Sequence, residues 1–412
     1  MKTVSADGEP RIDVTPQPCL FDDTLSIRLS GCMPGQAVTL CASLEDEWGR
    51  VWTSAAVFVV DWQGCVDLAS ASPISGSYKR ADPMGLCWSA TTTRSRRGTF
   101  LKRDSEPLTV EITAEENGAL IASTTVQRHI IAPDVERVVV RERGLVGTFF
   151  RPVRVSARPA LLVFGGAEGG LHEGRAALLA SWGYPALALA YFDMEHLPAE
   201  LASIPLEYFE TALTWLSEQE GVDHQTLIVM GTSRGGEAAL LLGATFSQVR
   251  AVIAVVPSSF AWESESASGY RPAWTYAGQG VPCLRWPSGS PTEDVSENEI
   301  RAYLSGHPKL VEQATIPVER ICGPLLLISG TGDHIWPTTY FCERIVARLD
   351  QAHHAFSYQH IAYRDAGHLF TLPHLPTTLV WHGGSAEAMA RANADSWQQV
   401  RAFLSTICSG AK

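Results

Sequence analysis

Along the first third of the chain, apolar and polar residues alternate with a period of two. Leu25, Ile27 and Leu29 do so, then Val38, Leu40, Ala42 and Leu44, then Leu108, Val110 and Ile112. Successive side chains of a strand point to opposite faces, so this period predicts strands with one face against a core. Val57 to Val60 adds a short apolar run. Asn117-Gly118, set between the run ending at Ile112 and the one from Ile121 to Val126, predicts a tight hairpin turn, because both residues tolerate left-handed backbone. No helix-period stretch interrupts the region. It reads as an antiparallel β-sandwich over residues 1–133. It shows no catalytic cluster, so its expected role is packing or substrate shaping.

The pattern changes near Pro133. Val135 to Val140 and Leu145 to Phe150 predict a hairpin that leads into a second domain, residues 134–412. Apolar runs then alternate with helix-period segments. Strands are predicted at Leu161 to Phe164, Ala186 to Ala190, Thr226 to Met230, Ala251 to Val256, Leu325 to Ile328 and Phe356 to Tyr363. Helices are predicted at Glu173 to Trp182, Ile204 to Glu218, Glu237 to Leu242 and about Ala386 to Phe403. Leu206, Phe209, Leu213 and Leu216 share one helical face. Continuous apolar strands between helices imply an α/β domain with a mostly parallel sheet covered on both faces. From about 257 to 317 the periodicity fails, and Ser, Gly and Pro are mixed with Trp262, Tyr270, Trp274 and Tyr276. This insertion is read as a cap over a site, with Trp262 and Trp274 as candidate pocket residues. The alternative is a surface excursion with a small satellite core of its own.

Candidate chemistry lies at Gly231-Thr-Ser-Arg-Gly235, directly after one predicted strand and before a strong helix former. A serine on so sharp a turn is pushed out at the end of the sheet, at a helix N-terminus. That is the nucleophile elbow of an α/β-hydrolase; the plainer reading is a serine capping a Gly-rich turn. A serine hydroxyl needs a base, and the base needs an acid to fix its tautomer. Asp333, in Gly330-Thr-Gly-Asp-His334, and His368, in Ala366-Gly-His368, each follow a strand and come in the order Ser, Asp, His. Both should share the rim occupied by Ser233. The competing reading of Asp333 is an Asx turn. Among the other histidines, His353 and His354 read as loop residues and His360 as a packed strand residue. His374 and His382 lie in irregular sequence, and His334 could line the pocket. Asp365 reads as a turn residue.

An oxyanion needs N–H donors already aimed at it. The backbone of Arg234 is one candidate, and Gly166 or Ala167, in Gly165-Gly-Ala-Glu-Gly-Gly170, the other. This glycine run lacks the Lys-Ser/Thr of a phosphate-binding P-loop. Glu168 is a further pocket candidate. Glu237 is expected to make a structural hydrogen bond. The Arg234 side chain is expected to be a solvated charge, or alternatively to bind an anionic part of the substrate.

Composition narrows the partners. The net charge of −12 argues against nucleic acid or an anionic membrane. No apolar run is long enough to span a bilayer, and residues 1–9 carry no signal-peptide core. Nine scattered cysteines without metal-like spacing fit a reduced cytoplasmic protein, and no metal site is expected.

Several longer stretches carry a resemblance. They include Phe164-Gly-Gly-Ala-Glu-Gly-Gly-Leu-His-Glu-Gly-Arg-Ala-Ala-Leu-Leu-Ala180, Leu187-Ala-Leu-Ala-Tyr-Phe192 and Leu206-Glu-Tyr-Phe-Glu210. Gly231-Thr-Ser-Arg-Gly-Gly-Glu237, Ile316-Pro-Val-Glu-Arg320, Ala366-Gly-His368 and Asp395-Ser-Trp397 continue it. The first domain joins through Asp82-Pro-Met-Gly-Leu86 and Phe100-Leu-Lys-Arg-Asp104. Over nearly its whole length the chain resembles the acyl-CoA thioesterase / bile acid-CoA:amino acid N-acyltransferase family. The resemblance implies a β-sandwich followed by an α/β-hydrolase domain, with Ser233, Asp333 and His368 as the triad. It implies hydrolysis of a small-molecule acyl thioester, with coenzyme A or a carrier phosphopantetheine as part of the substrate and no separate cofactor. An acyl carrier protein is a conceivable partner. Members acting mainly as acyltransferases carry cysteine at the nucleophile, so serine here tilts toward water as acceptor; transfer to an amine is the alternative. Glu168 departs from the small or apolar residue usual in related loops. The chain end, Ser409-Gly-Ala-Lys412, is not a peroxisomal address, which suggests a bacterial, biosynthetic member.

Overall fold

The computed structural model describes residues 9–93, 99–153, 156–264, 270–287, 296–378 and 382–410. The sequence readings at residues 1–8 and 411–412, and those parts of the insertion at 265–269 and 288–295, lie outside the described residues. The chain divides into two compact units. One is residues 1–132 with Thr371–Trp381, and the other is residues 133–370 with 382–412.

In the first unit the period-two segments are strands. They are β1 (Arg11–Thr15), β2 (Cys19–Leu20), β3 (Ser26–Ser30), β4 (Ala37–Glu45), β5 (Val51–Val59), β6 (Val66–Asp67), β7 (Ser75–Gly76), β8 (Leu108–Glu116) and β9 (Ala119–His129). A single helical turn, α1 (Gly85–Trp88), precedes β8. Six strands form one sheet in the order β2-β9-β8-β4-β5-β7, and β1-β3-β6 form another. All pairings except β2 with β9 are antiparallel. Leu25, Ile27, Leu29, Leu40, Val110 and Ile112 are fully buried, as the alternation requires. Asn117 and Gly118 take φ of 53° and 80° and turn β8 into β9. The 371–381 segment, which sequence assigned to the second domain, is held in this unit. Thr377 N donates to Trp88 O at 3.0 Å and Thr378 Oγ1 to Ala90 O at 2.7 Å.

The second unit begins with the predicted hairpin, β10 (Val135–Val140) and β11 (Val146–Pro152). Then come β12 (Arg158–Phe164), α2 (Glu173–Ser181), β13 (Ala186–Ala190), β14 (Ile204–Pro205), α3 (Leu206–Ser217), β15 (Val222–Thr232), α4 (Arg234–Thr245) and β16 (Val249–Val255). The insertion supplies β17 (Trp274–Tyr276), β18 (Gln279–Gly280), α5 (Glu297–Gly306) and α6 (Pro308–Ala314). The chain closes with β19 (Leu325–Gly330), α7 (Thr338–Gln351), β20 (Tyr358–Tyr363) and α8 (Ala386–Gly410). Eight strands make one sheet, β10-β11-β13-β12-β15-β16-β19-β20, parallel from β13 to β20. Its central strands are buried on both faces, which explains their unbroken apolar runs. This is the arrangement of an α/β-hydrolase domain. Helix α7 had no counterpart in the sequence reading. It opens on Thr-Thr-Tyr-Phe, weak helix formers, although Phe341, Ile345 and Leu349 recur every four residues and are buried.

The insertion is more ordered than its composition suggests. Phe260, Trp262, Leu284, Trp286, Ile300 and Leu304 build a satellite core with Trp336 and Phe341. It is strapped to α4 through two residues of that helix that pair with each other inside, Arg234 Nη1 to Glu237 Oε2 at 3.0 Å, with both side chains at most 1% exposed. Glu237 Oε1 accepts from Trp262 N at 3.0 Å and from Trp274 Nε1 at 2.6 Å. Arg234 Nη2 donates to the carbonyls of Trp262 and Glu263. Three expectations are therefore corrected. The Arg234 side chain is not solvated, because its charge is matched inside. Trp262 stacks on Trp286 with ring centroids 4.6 Å apart, and Trp274 packs against Tyr191 and Phe209, so both indoles are fully buried core residues and not exposed pocket aromatics. Glu237→Ala leaves the guanidinium buried and unpaired, which costs about 3–5 kcal/mol. Urea unfolding reads this directly, and a loss under about 1 kcal/mol would contradict the strap.

Candidate active site

The end of β15 and the start of α4 approach more closely than any side chain allows. A Cβ on Gly231 would lie 2.0 Å from Gly235 O, and one on Gly235 would lie 2.1 Å from Gly165 O. Between them Ser233 adopts φ 56°, ψ −120°. A non-glycine residue is strained there and persists only when its surroundings fix it. Ser233 N donates to Val255 O at 2.8 Å, and Ser233 O accepts from Glu237 N at 3.0 Å. The hydroxyl is thereby presented at the N-terminus of α4.

Two loops meet it there. Ser233 Oγ lies 2.8 Å from His368 Nε2, and His368 Nδ1 lies 2.8 Å from Asp333 Oδ2. Asp333 follows β19 and His368 follows β20, so adjacent strands of one sheet deliver both. The acid is itself fixed. Its Oδ1 accepts from Ile335 N at 2.9 Å, and its Oδ2 also accepts from Thr338 Oγ1 at 2.9 Å. The Asp333 and His368 side chains are 1% and 8% exposed. A carboxylate on Nδ1 puts the free lone pair of a neutral ring on Nε2, facing the serine. Trp336 of the satellite core meets the His368 ring edge-on at 6.1 Å.

The other histidines are elsewhere engaged. His360 Nε2 pairs with Ser329 Oγ at 2.8 Å, and burial pushes its pKa down. His354 Nε2 pairs with Gly323 O, and His374 belongs to the first unit. His334 is exposed and lines a cleft of about 300 Å³ with Asp333, Thr331, Tyr340, Glu297 and Glu299; neither Ser233 nor His368 lines it. Asp365 is an exposed turn residue at φ 56°. His382 adjoins His368 at a ring distance of 6.4 Å, and its pKa is pushed down to about 4 by burial and by the charge of His368.

The glycine loop after β12 forms the opposite wall. A Cβ on Gly166 would lie 2.8 Å from Thr232 O and 2.9 Å from both Ser233 Cβ and Glu168 Oε2. Tyr191 Oη donates to Gly165 O and Gly166 O, each at 3.0 Å, and so holds the loop down. Gly166 is thus beside Ser233, with Ala167 following it and Arg234 N opening α4. Glu168 Oε1 lies 3.1 Å from Nε2 of the buried His172. Crowding by protein atoms acts to raise the Glu168 pKa. The His172 hydrogen bond and the charges of His172 and Arg175 outweigh it and hold the carboxyl well below its usual range.

Sequence reasoning passed over Arg175. Its Nη1 donates to Thr232 Oγ1, next to Ser233, and its Nη2 donates to Phe370 O at 2.9 Å, just past His368. One guanidinium therefore ties the elbow to the histidine loop. The signal was a lone arginine followed by Ala-Ala-Leu-Leu in a buried helix.

Residues 22–142 match the family described as acyl-CoA thioester hydrolase/BAAT N-terminal region, and residues 204–409 match its C-terminal counterpart. The chain is 31% identical to rat acyl-coenzyme A thioesterase 1 over 402 residues, covering 93% of each chain. It is 30% identical to human mitochondrial acyl-coenzyme A thioesterase 2, covering 94% of this chain and 82% of that one. The mouse peroxisomal succinyl-coenzyme A thioesterase is 30% identical, with 95% of each chain covered. Among solved structures, an esterase from Pyrobaculum calidifontis is similar at a TM-score of 0.40 and 15% identity, over 66% of this chain and 86% of that one.

Two outcomes follow from the geometry. Arg175→Lys keeps the charge but cannot span both acceptors, so kcat falls about tenfold to a hundredfold with KM little changed; an unaltered kcat would remove Arg175 from the positioning scheme. His382 stays neutral in the folded chain down to about pH 4, whereas unfolded it binds a proton near 6.5. The unfolded state therefore takes up more protons between those values, and stability falls as pH drops through that window. The Tm of His382→Gln should decline less steeply from pH 6.5 to 4 than that of the parent; equal slopes would contradict the shift.

Proposed function

The chain belongs to the acyl-CoA thioester hydrolase/BAAT family, and on that footing we propose that it cleaves acyl thioesters through an acyl-serine intermediate. The observation that carries this is the pair of 2.8 Å contacts joining Ser233, His368 and Asp333. His368 Nε2 takes the Ser233 proton as Oγ bonds to the thioester carbonyl carbon. The oxyanion is met by the Arg234 N–H and by Gly166 or Ala167. As the carbon–sulfur bond breaks, the His368 proton passes to the leaving thiol. Water then enters: its oxygen bonds to the acyl carbon as His368 takes its proton, and that proton passes to Oγ as the acyl–Oγ bond breaks, releasing the acid and restoring the serine.

Coenzyme A and a carrier-bound phosphopantetheine present the same thioester, so the chemistry accepts either, and neither is a separate cofactor. An ester of serine is released readily to water, which supports hydrolysis over transfer to an amine. Among the described residues no helix is long and apolar enough to cross a membrane. Nine free cysteines support a reducing, cytoplasmic setting.

Thiol release from an acyl-CoA panel tests the reading. Ser233→Ala and His368→Ala should each lose about 10⁴-fold or more in kcat, while His360→Ala stays within about twofold. Retained turnover in Ser233→Ala would refute the nucleophile, and equal losses at both histidines would refute the base.

A further inference from the structure

We propose that Glu168 forms a subsite for an ammonium group borne by the acyl chain of the substrate, close to its thioester carbonyl. The assignment deepens the thioesterase reading and rests on it. A carboxylate beside a developing oxyanion raises the barrier to attack, unless the substrate brings a compensating positive charge. Glu168 occupies that position. Its Oε2 and Ser233 Cβ both lie 2.9 Å from one point, the direction of a Gly166 side chain, so they are no more than twice that distance apart.

The carboxylate is both held and reachable. Oε1 is anchored 3.1 Å from His172 Nε2, and the His172 ring sits against Gly165, where a Cβ would come within 2.0 Å of Nε2. The Glu168 side chain is nonetheless 43% exposed, so it is reachable from solvent. Arg175, the nearby cation, directs Nη1 and Nη2 to Thr232 Oγ1 and Phe370 O. A second carboxylate stands beside that loop, on the segment after β13: Asp193 is exposed, and its Cβ lies 2.9 Å from the direction of a Gly169 side chain. An ammonium suits such a place, being a compact charge with three donors.

Position favours the acyl chain over an acceptor amine as the source. An attacking amine must lie against His368, which takes its proton. Glu168 Oε2 lies beside Gly166 and Oε1 beside His172, on the glycine-loop side. An amino group two or three bonds from the carbonyl carbon falls there. The favoured substrates are thus aminoacyl thioesters, and the products are the amino acid and the free thiol.

The test compares 3-aminopropanoyl-CoA with butanoyl-CoA, which differ only in ammonium against methyl. The parent enzyme should favour the ammonium substrate by about tenfold in kcat/KM, the strength of a charge-assisted hydrogen bond. Glu168→Gln should bring the ratio near one and raise butanoyl turnover. Propylammonium should slow fluorophosphonate labelling of Ser233 more than propan-1-ol does, in the parent and not in Glu168→Gln. If butanoyl-CoA is cleaved at Ser233 with neither preference nor protection, the subsite falls and the thioesterase stands. If no thioester is cleaved yet Glu168-dependent protection persists, the subsite stands and the thioesterase falls. Glu168-dependent amide formation from butanoyl-CoA and propylammonium, without the acyl preference, would move the charge to the acceptor and overturn the assignment.

Discussion

Three backbone segments meet where no side chain fits. Gly231, Gly235 and Gly165 bring the end of β15, the start of α4 and the loop after β12 to within contact of one another. The energy lost to the strained φ of Ser233 is offset by that packing and by the hydrogen bond to Val255 O. Everything at the site inherits its place from this junction. The serine is forced outward at the start of α4, and Gly166 is drawn alongside. The adjacent strands β19 and β20 then need only short loops to bring Asp333 and His368 within 2.8 Å contacts.

Charge is arranged in two layers around that junction. The deeper layer is structural: Arg234 and Glu237 neutralise each other inside, and their remaining hydrogen bonds fasten the insertion to α4. The upper layer faces the site, where Arg175 bridges elbow and histidine loop while Glu168 and His172 form a pair on the glycine wall. The two layers act on different properties. Loss from the first is expected to lower stability, and loss from the second to change binding or rate.

Much of this was legible in the sequence, because its causes are local. Period-two alternation, Asn117-Gly118, and the strand–GTSRG–helix succession each have a mechanism that acts over a few residues. The order Ser, Asp, His reports which strand ends carry loops at the rim. What escaped depends on contacts distant in sequence. Trp262 and Trp274 looked like pocket aromatics, yet buried Glu237 accepts from the main chain of one and the indole of the other. Arg234 looked solvated because its buried partner is itself a charged residue. Arg175 binds a carbonyl 195 residues away, which no local pattern can show. Two features were present and unread: the Ser296–Glu299 capping box that opens α5, and the four-residue spacing in α7.

The proposed catalysis depends on a covalent bond to one oxygen, Ser233 Oγ. Intact-mass and peptide-mapping spectrometry of the full chain, quenched in acid soon after mixing with an acyl-CoA, measures it most directly. A mass gain equal to the acyl group, located on the peptide that carries Ser233, is the predicted result. Thiol release with the acyl group found on a cysteine, or on a peptide lacking Ser233, would contradict it.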